Sequence, residues 1–325
     1  MTARVTVGGR LHLGFTNLSL AHDRLYGGIG VALAAPRLSL RARPADAVEC
    51  DDPVVREYAA RAVDLLDLPG VAVEARERLP AHVGLGSGTA TALAALVATA
   101  EAYDRTTDPR ALAPALGRGG RSGVGVAAFE DGGAVVDVGH PTALFTDEPP
   151  ATGEWTVPPV AARHPVPDDW RFLLVVPDAD EGRSGDAEDR SMRAAVERAD
   201  AATADRVAGV VARRLLPALA EGAVGGFGAA AAEVGRLNGS WYADEQGGLY
   251  RPPVGALVAS LAEEPSVTGA GQSSWGPTAY GVTDAARADD ARAAGERALD
   301  AAGVDGRVTV VAGRNGGARV EREKS

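Results

Sequence analysis

Three observations predict an α+β fold in two units. Short alternating apolar stretches recur between helix-length segments along the whole chain. Strands and helices mix in both halves. A proline- and acid-rich stretch at 141–169 separates the halves. We place the division at residues 1–165 and 166–325, a length suited to two ordinary domains. The 46% hydrophobic content is broken every few residues, as in a globular protein.

The elements follow in order. Thr2 to Val7 alternates and predicts an edge or hairpin strand. Gly27 to Leu40 predicts strands divided by a glycine bend. Val54 to Leu66 has helical spacing, and Val71 to Ala75 makes a short strand. A glycine-rich turn at 82–89 then feeds a helix over Ala90 to Tyr103. Pro109 to Leu116 predicts a short helix, Val124 to Phe129 a helix leaving a glycine turn, and Gly133 to Val138 a strand. Residues 141–169 lack periodicity and are expected to be a connector or covering loops, with Trp155 and Trp170 packing. In the second unit Phe172 to Val176 is a buried strand. Arg190 to Leu219 is mostly helix, and Ala229 to Leu237 is another helical piece. Gly269 to Pro277 is a loop feeding a strand through Val282. A charged helix over Asp284 to Ala301 and a strand over Arg307 to Val311 complete the unit.

Composition excludes several function classes. The net charge is -11, and Lys324 is the only lysine, so nucleic acid is not an expected partner. A substrate anion inside the fold must therefore meet arginine, backbone amides, hydroxyls or a metal. No apolar run has the length of a membrane span, and no secretory signal is read at the start. Cys50 stands alone, which rules out an intrachain disulfide framework. Cytoplasmic residence without a membrane partner is the expectation. With five histidines and no close His/Cys/carboxylate cluster, a structural zinc or histidine-metal site is not expected.

Five segments carry the chemistry. In His82-Val-Gly-Leu-Gly-Ser-Gly-Thr89, flexible backbone and two hydroxyls precede a helix N-terminus. First-turn amides have no intrahelical partner, so Gly84, Gly86, Ser87, Gly88 and Thr89 can cradle a phosphate. The alternative is an ordinary tight turn capped by Ser87 or Thr89. The lysine of a P-loop and the spacing of a dinucleotide fingerprint are both absent. Arg10 and His12 follow the first strand, either as a surface ion pair and a packed core histidine or as an anion-binding pair. Arg118 and Arg121 flank a glycine turn ahead of Ser122, where two guanidiniums can grip phosphate or carboxylate; an exposed turn is the alternative. Gln272-Ser273-Ser274-Trp275 lies between glycines, and a loop so costly to order suits a ligand surface or a plug between the units. Glu181 and Glu188 offer carboxylates for Mg2+, or simply form an acidic turn ahead of the next helix.

Taken together and in this order, the segments resemble the β-ribofuranosylaminobenzene 5′-phosphate synthase family, a branch of the GHMP kinase superfamily. The likeness runs through Arg10-Leu11-His12 and Tyr26-Gly27-Gly28-Ile29-Gly30. It continues in Gly84-Leu85-Gly86-Ser87-Gly88-Thr89, in Arg118 with Ser122-Gly123-Val124-Gly125, and in Gly182-Arg183-Ser184-Gly185 with Glu188. Gln246-Gly247-Gly248 and Gly271-Gln272-Ser273-Ser274-Trp275-Gly276-Pro277-Thr278 complete it, so nearly the whole chain is covered. The last segment is the most specific to this branch.

The resemblance implies a GHMP-kinase-like α+β fold: a ribosomal protein S5 domain 2-like N-terminal domain, then a ferredoxin-like C-terminal domain. It implies an enzyme that joins 5-phosphoribosyl 1-diphosphate to a 4-substituted benzoate (4-hydroxybenzoate or 4-aminobenzoate) and releases carbon dioxide and diphosphate. In methanogens that step begins the arene arm of methanopterin. A homodimer using Mg2+ is the accompanying expectation. The Gly84–Thr89 turn and Ser122 would hold phosphate groups, and Arg118 or Arg121 would offset their charge. Arg10, His12 and Gln272 to Trp275 would orient the benzoate and ribose, and Glu181 or Glu188 would position Mg2+. Kinases of this superfamily often carry Ser-Gly-Ile-Asp, whereas Ser122-Gly123-Val124-Gly125 has glycine at the carboxylate position. An ATP-dependent kinase and a noncatalytic phosphate-ligand sensor are the alternatives.

Overall fold

A computed structural model describes residues 1–146, 151, 153–180 and 185–323, the side chains of 185–187 excepted. β1 (Thr2–Asn17) and β2 (Arg24–Pro44) form a long antiparallel pair. The expected glycine bend does not divide β2, which runs unbroken for 21 residues. The irregularity falls instead in the β1–β2 register, between Gly8 and Arg10 and again between His12 and Gly14. Such bulges re-aim side chains, and these two bracket Arg10 to His12.

β3 (Val48–Glu49), α1 (Pro53–Leu66) and β4 (Val71–Glu77) follow. Asp52 caps α1 by accepting from the Val54 and Val55 amides, with Pro53 preset for the first turn. α2 (Ser87–Ala102) is buried nearly all round; its alanines let β1 and β2 approach closely. α3 (Pro109–Leu112) runs into a 3₁₀ turn at Pro114–Leu116, and α4 (Val124–Glu130) precedes β5 (Ala134–Asp137) and β6 (His140–Pro141). The connector is not without structure: β7 (Val160–His164) pairs with β5. Its prolines flank the strand and leave its amides free for the ladder.

The second unit starts with β8 (Trp170–Pro177). α5 (Gly185–Arg198), α6 (Ala201–Val210), a π-helical turn at Val211–Leu215 and α7 (Leu216–Glu221) make up the mostly helical stretch expected at 190–219. The chain breaks at Asp200, whose side chain caps α6. α8 (Val224–Gln246) is far longer than the predicted Ala229–Leu237, because Phe227 and Trp241 extend its buried stripe past both ends. α9 (Val254–Ala262) escaped the sequence reading. β9 (Gly269–Gln272) replaces part of the expected loop, held by β10 (Ala279–Asp284). α10 (Ala288–Ala302) and β11 (Gly306–Ala312) close a four-stranded antiparallel sheet, ordered β11-β8-β10-β9. That order, with strands and helices in βαββαβ sequence, is the ferredoxin-like arrangement.

β12 (Arg319–Glu323) then returns to the first sheet and pairs with β1, Thr2 opposite Glu323. The division at residue 165 falls between β7 and β8, and this last strand crosses back over it. One apolar core joins both sheets: Leu11, Leu13 and Ile29 share a cluster with Trp170, Phe172, Phe227 and Tyr280. No helix among the described residues is long and apolar enough to cross a membrane.

Candidate active site

Three segments distant in sequence are fastened to one another. The Ser273 hydroxyl donates to the Gly84 carbonyl at 2.8 Å and accepts from the His12 amide at 3.1 Å. The Ser274 amide donates to the His12 carbonyl, and the Thr278 hydroxyl to the Val83 carbonyl at 2.6 Å. Gly84 has a positive φ, and a Cβ there would lie 2.3 Å from the Ser273 carbonyl oxygen. Only glycine allows that approach. Ser273 is fully buried, so its hydroxyl serves the framework.

The glycine turn ends in an open cradle of backbone at the start of α2. Gly86 occupies the α2 N-cap in the left-handed region and offers no side-chain cap. The Ser87, Gly88 and Thr89 amides therefore point outward without a capping partner. Two arginines press against this backbone. A Cβ on Gly86 would meet the Arg10 side chain at 3.0 Å, and one on Gly88 an Arg118 nitrogen at 3.0 Å. Arg10 donates to the Gly84 carbonyl at 2.6 Å, and burial holds its pKa down at about 10 despite the nearby Glu188 carboxylate. Arg118 lies over the Tyr58 ring and contacts its hydroxyl; burial lowers its pKa as well. Arg121 pairs with Glu188 at 2.9 Å. Arg10 Nε and Arg118 Nε are buried without a hydrogen-bond partner among the described residues, whereas the Arg121 guanidinium already meets Glu188 and, at 3.5 Å, Asp189.

Behind the cradle runs a polar chain. His12 Nε2 lies 3.3 Å from the Ser122 hydroxyl, which lies 3.1 Å from Asp137 Oδ2. Asp137 also accepts from the Gly123 amide at 2.7 Å, the Gly139 amide at 2.8 Å and the Gly28 amide. Burial raises the Asp137 pKa, and these four donors oppose it. Burial drives the His12 pKa down to about 3, helped by the charges of Arg10 and Arg121, so the imidazole is neutral.

An aromatic cavity of about 40 Å³, open to solvent, adjoins His12. Phe15, Tyr242, Tyr250 and Trp275 contribute rings to it, with Asn238 and Gln246 beside them. Tyr242 and Trp275 pack at a ring separation of 4.8 Å and 58°. Asn238 clamps β1 to α8 by pairing with both the amide and the carbonyl of Phe15, at 2.7 and 3.0 Å. Gln272 is held by the Arg251 amide, Gln246 and the Ser274 carbonyl.

Residues 54–133 match the model of the GHMP kinases N terminal domain. Beta-ribofuranosylphenol 5'-phosphate synthase of Methanothermobacter thermautotrophicus is 31% identical over 329 residues, covering 97% of each chain. The chain belongs to the β-ribofuranosylphenol 5′-phosphate synthase family. The Archaeoglobus fulgidus enzyme of the same name is 31% identical over 290 residues, covering 86% of this chain and 88% of that one. In fold the chain is similar to the homoserine kinase of Cytophaga hutchinsonii, with TM-score 0.65 and 18% identity over 98% of this chain and 97% of that one.

Within this synthase-family site, Arg10, His12, Arg118, Arg121 and Ser122 converge with the Gly84–Thr89 turn. Ser274 and Trp275 line the aromatic cavity, where Gln272 joins them. Glu181 lies outside the described residues, and Glu188 is engaged by Arg121. Among the described residues no three His, Cys, Asp or Glu side chains gather into a metal site. The kinase aspartate position is crowded: a Cβ on Gly125 would lie 3.1 Å from Thr89 Cγ2, so Thr89 would have to give way by a few tenths of an ångström. The sequence reading missed Asp137, Phe15, Asn238 and Tyr242. An acid ending the apolar run Ala134-Val-Val-Asp137 was the available signal for the first.

Proposed function

We propose that this chain is a decarboxylating phosphoribosyltransferase that joins 5-phosphoribosyl 1-diphosphate to 4-hydroxybenzoate. One observation carries the reading: an uncapped helix N-terminus backed by Arg10 and Arg118 adjoins an aromatic cavity. The relatives' name, a ribofuranosylphenol synthase, favours the hydroxyl over the amino acceptor.

The Ser87, Gly88 and Thr89 amides and the Ser87 and Thr89 hydroxyls bind phosphate oxygens. Arg10, Arg118 and Arg121 offset the charge that grows on the departing diphosphate. Mg2+, were it bound, would supply further charge neutralisation through the substrate's own phosphate oxygens; Glu188 could join it only by giving up its pair with Arg121. Phe15, Tyr242 and Trp275 stack and orient the arene so that its carboxylate-bearing carbon faces the ribose. The C1′–O bond breaks with its electron pair leaving on diphosphate, and the arene carbon supplies the pair for the new C–C bond. The bond to the carboxylate then breaks, its electrons restore aromaticity, and carbon dioxide departs. No ring proton is removed, so the step needs no carboxylate base.

The test is a product assay with 5-phosphoribosyl 1-diphosphate, Mg2+ and each benzoate. Carbon dioxide and diphosphate released one for one, with a C-riboside, is the expected result. Folded protein that binds the phosphoribosyl substrate and yields no product from either benzoate would overturn it.

A further inference from the structure

We infer that Asp137, acting through Ser122, is a positioning residue that fixes His12 as its Nε2–H tautomer and leaves Nδ1 as a bare acceptor for a donor on the substrate. The inference rests on the proposed reaction only for the substrate's identity; the tautomer follows from proton bookkeeping alone.

Four donors converge on the Asp137 carboxyl: three amides and the Ser122 hydroxyl. Burial raises the Asp137 pKa, and these donors oppose it by favouring the ionised form, which only accepts. The single hydroxyl proton of Ser122 is then spent on Asp137 Oδ2. Its oxygen must accept whatever else approaches, and two nitrogens do: the Val124 amide at 3.2 Å and His12 Nε2 at 3.3 Å. An acceptor oxygen next to Nε2 requires the proton to sit on Nε2. In a neutral ring the other nitrogen then carries a lone pair. Nδ1 has no hydrogen bond to a described residue, and the ring lines the aromatic cavity, 4.8 Å from Phe15. An arene acceptor carrying a para O–H or N–H supplies the matching donor. Withdrawing that proton's density enriches the para carbon, the carbon that must attack the ribose.

Asp137→Ala removes the acceptor that holds the Ser122 proton. Asparagine would not serve, because Oδ2 also accepts from the Gly123 amide and Oδ1 from the Gly139 amide, so either position of its NH2 would face an N–H. Without the carboxylate the Ser122 hydroxyl is free to donate to Nε2, which admits the Nδ1–H tautomer. Nitrogen-15 NMR of histidine-labelled protein, with the His12 signal identified by its loss in His12→Phe, reads the tautomer directly. We expect Nε2–H alone in the parent and both tautomers in Asp137→Ala. Turnover of 4-hydroxybenzoate should fall at least ~2-fold, in step with the Nε2–H fraction lost, with 5-phosphoribosyl 1-diphosphate binding unchanged. Ser122→Ala is the second variant should Asp137→Ala fail to fold: it cuts the link, and both tautomers should appear there too. Nδ1–H in the parent, an unchanged tautomer in the variants, or a changed tautomer with parental turnover each overturns the inference. A parent without synthase activity refutes the proposed reaction and leaves the NMR result to decide the tautomer.

Discussion

Between pH 6.5 and about 3, an unfolded chain protonates His12 while the folded chain keeps it neutral. Burial and the charges of Arg10 and Arg121 set that lower limit. The sign follows by linkage. Above pH 6.5 both states are neutral at this residue and nothing is lost. As pH falls toward the folded pKa, the unfolded state gains the proton and stability drops. At pH 5 the cost is about 2 kcal/mol relative to pH 7.5. His12→Gln should therefore shrink the difference in urea-unfolding free energy between those two pH values by about that amount. An undiminished difference would mean that another group titrates. At this scale the residue types were legible, since arginines, glycines and hydroxyls in loops announce anion binding. Their partners were not. That Ser273 ties Gly84 to His12 depends on residues 189 and 261 positions away in sequence, which no local pattern records.

Among the elements, the α8–β1 joint shapes the aromatic cavity. Gly14 lies in β1 with φ 146° directly under Asn238, and a Cβ there would come within 2.7 Å of the amide carbon. Asn238 in turn copies a neighbouring strand by satisfying both backbone groups of Phe15. Asn238→Ala leaves that amide and carbonyl without partners in a buried joint. We expect a loss of about 2–3 kcal/mol, seen as a lower urea midpoint with unchanged slope. Periodic elements such as α1 and β8 were readable because their apolar spacing and caps are local. α8 was truncated in the reading because its opening Val224-Gly-Gly-Phe-Gly has poor helix propensity, which tertiary burial of Phe227 overrides. β12 was missed because Arg-Val-Glu-Arg-Glu has too little apolar content to announce a strand.

On the scale of the whole molecule, β12 shields the outer edge of β1. Its charged side chains face solvent and ion-pair with the sheet: Glu323 meets Arg4 at 2.9 Å and Arg41 at 2.8 Å. These exposed pairs contribute little stability, but a charged edge strand discourages pairing with another chain. Removing residues 319–325 should produce concentration-dependent self-association in size-exclusion chromatography. A truncated protein that stays at the parent's elution volume at every concentration would show that β12 does not guard this edge. The family and fold were legible at this scale because several glycine-bounded motifs kept their order along nearly the full chain. The joining of both sheets through one core was not, since apolar periodicity names a buried face and not the surface it meets.

The pairing of Thr2 with Glu323 also sets a schedule. A ribosome makes β1 long before that strand's outer neighbour. Until β12 emerges the nascent chain therefore carries β1 with one unpaired edge, a template for pairing with strands from elsewhere. The first sheet acquires its outer border only after every strand of the second sheet has been made, so closing that edge waits on one five-residue segment.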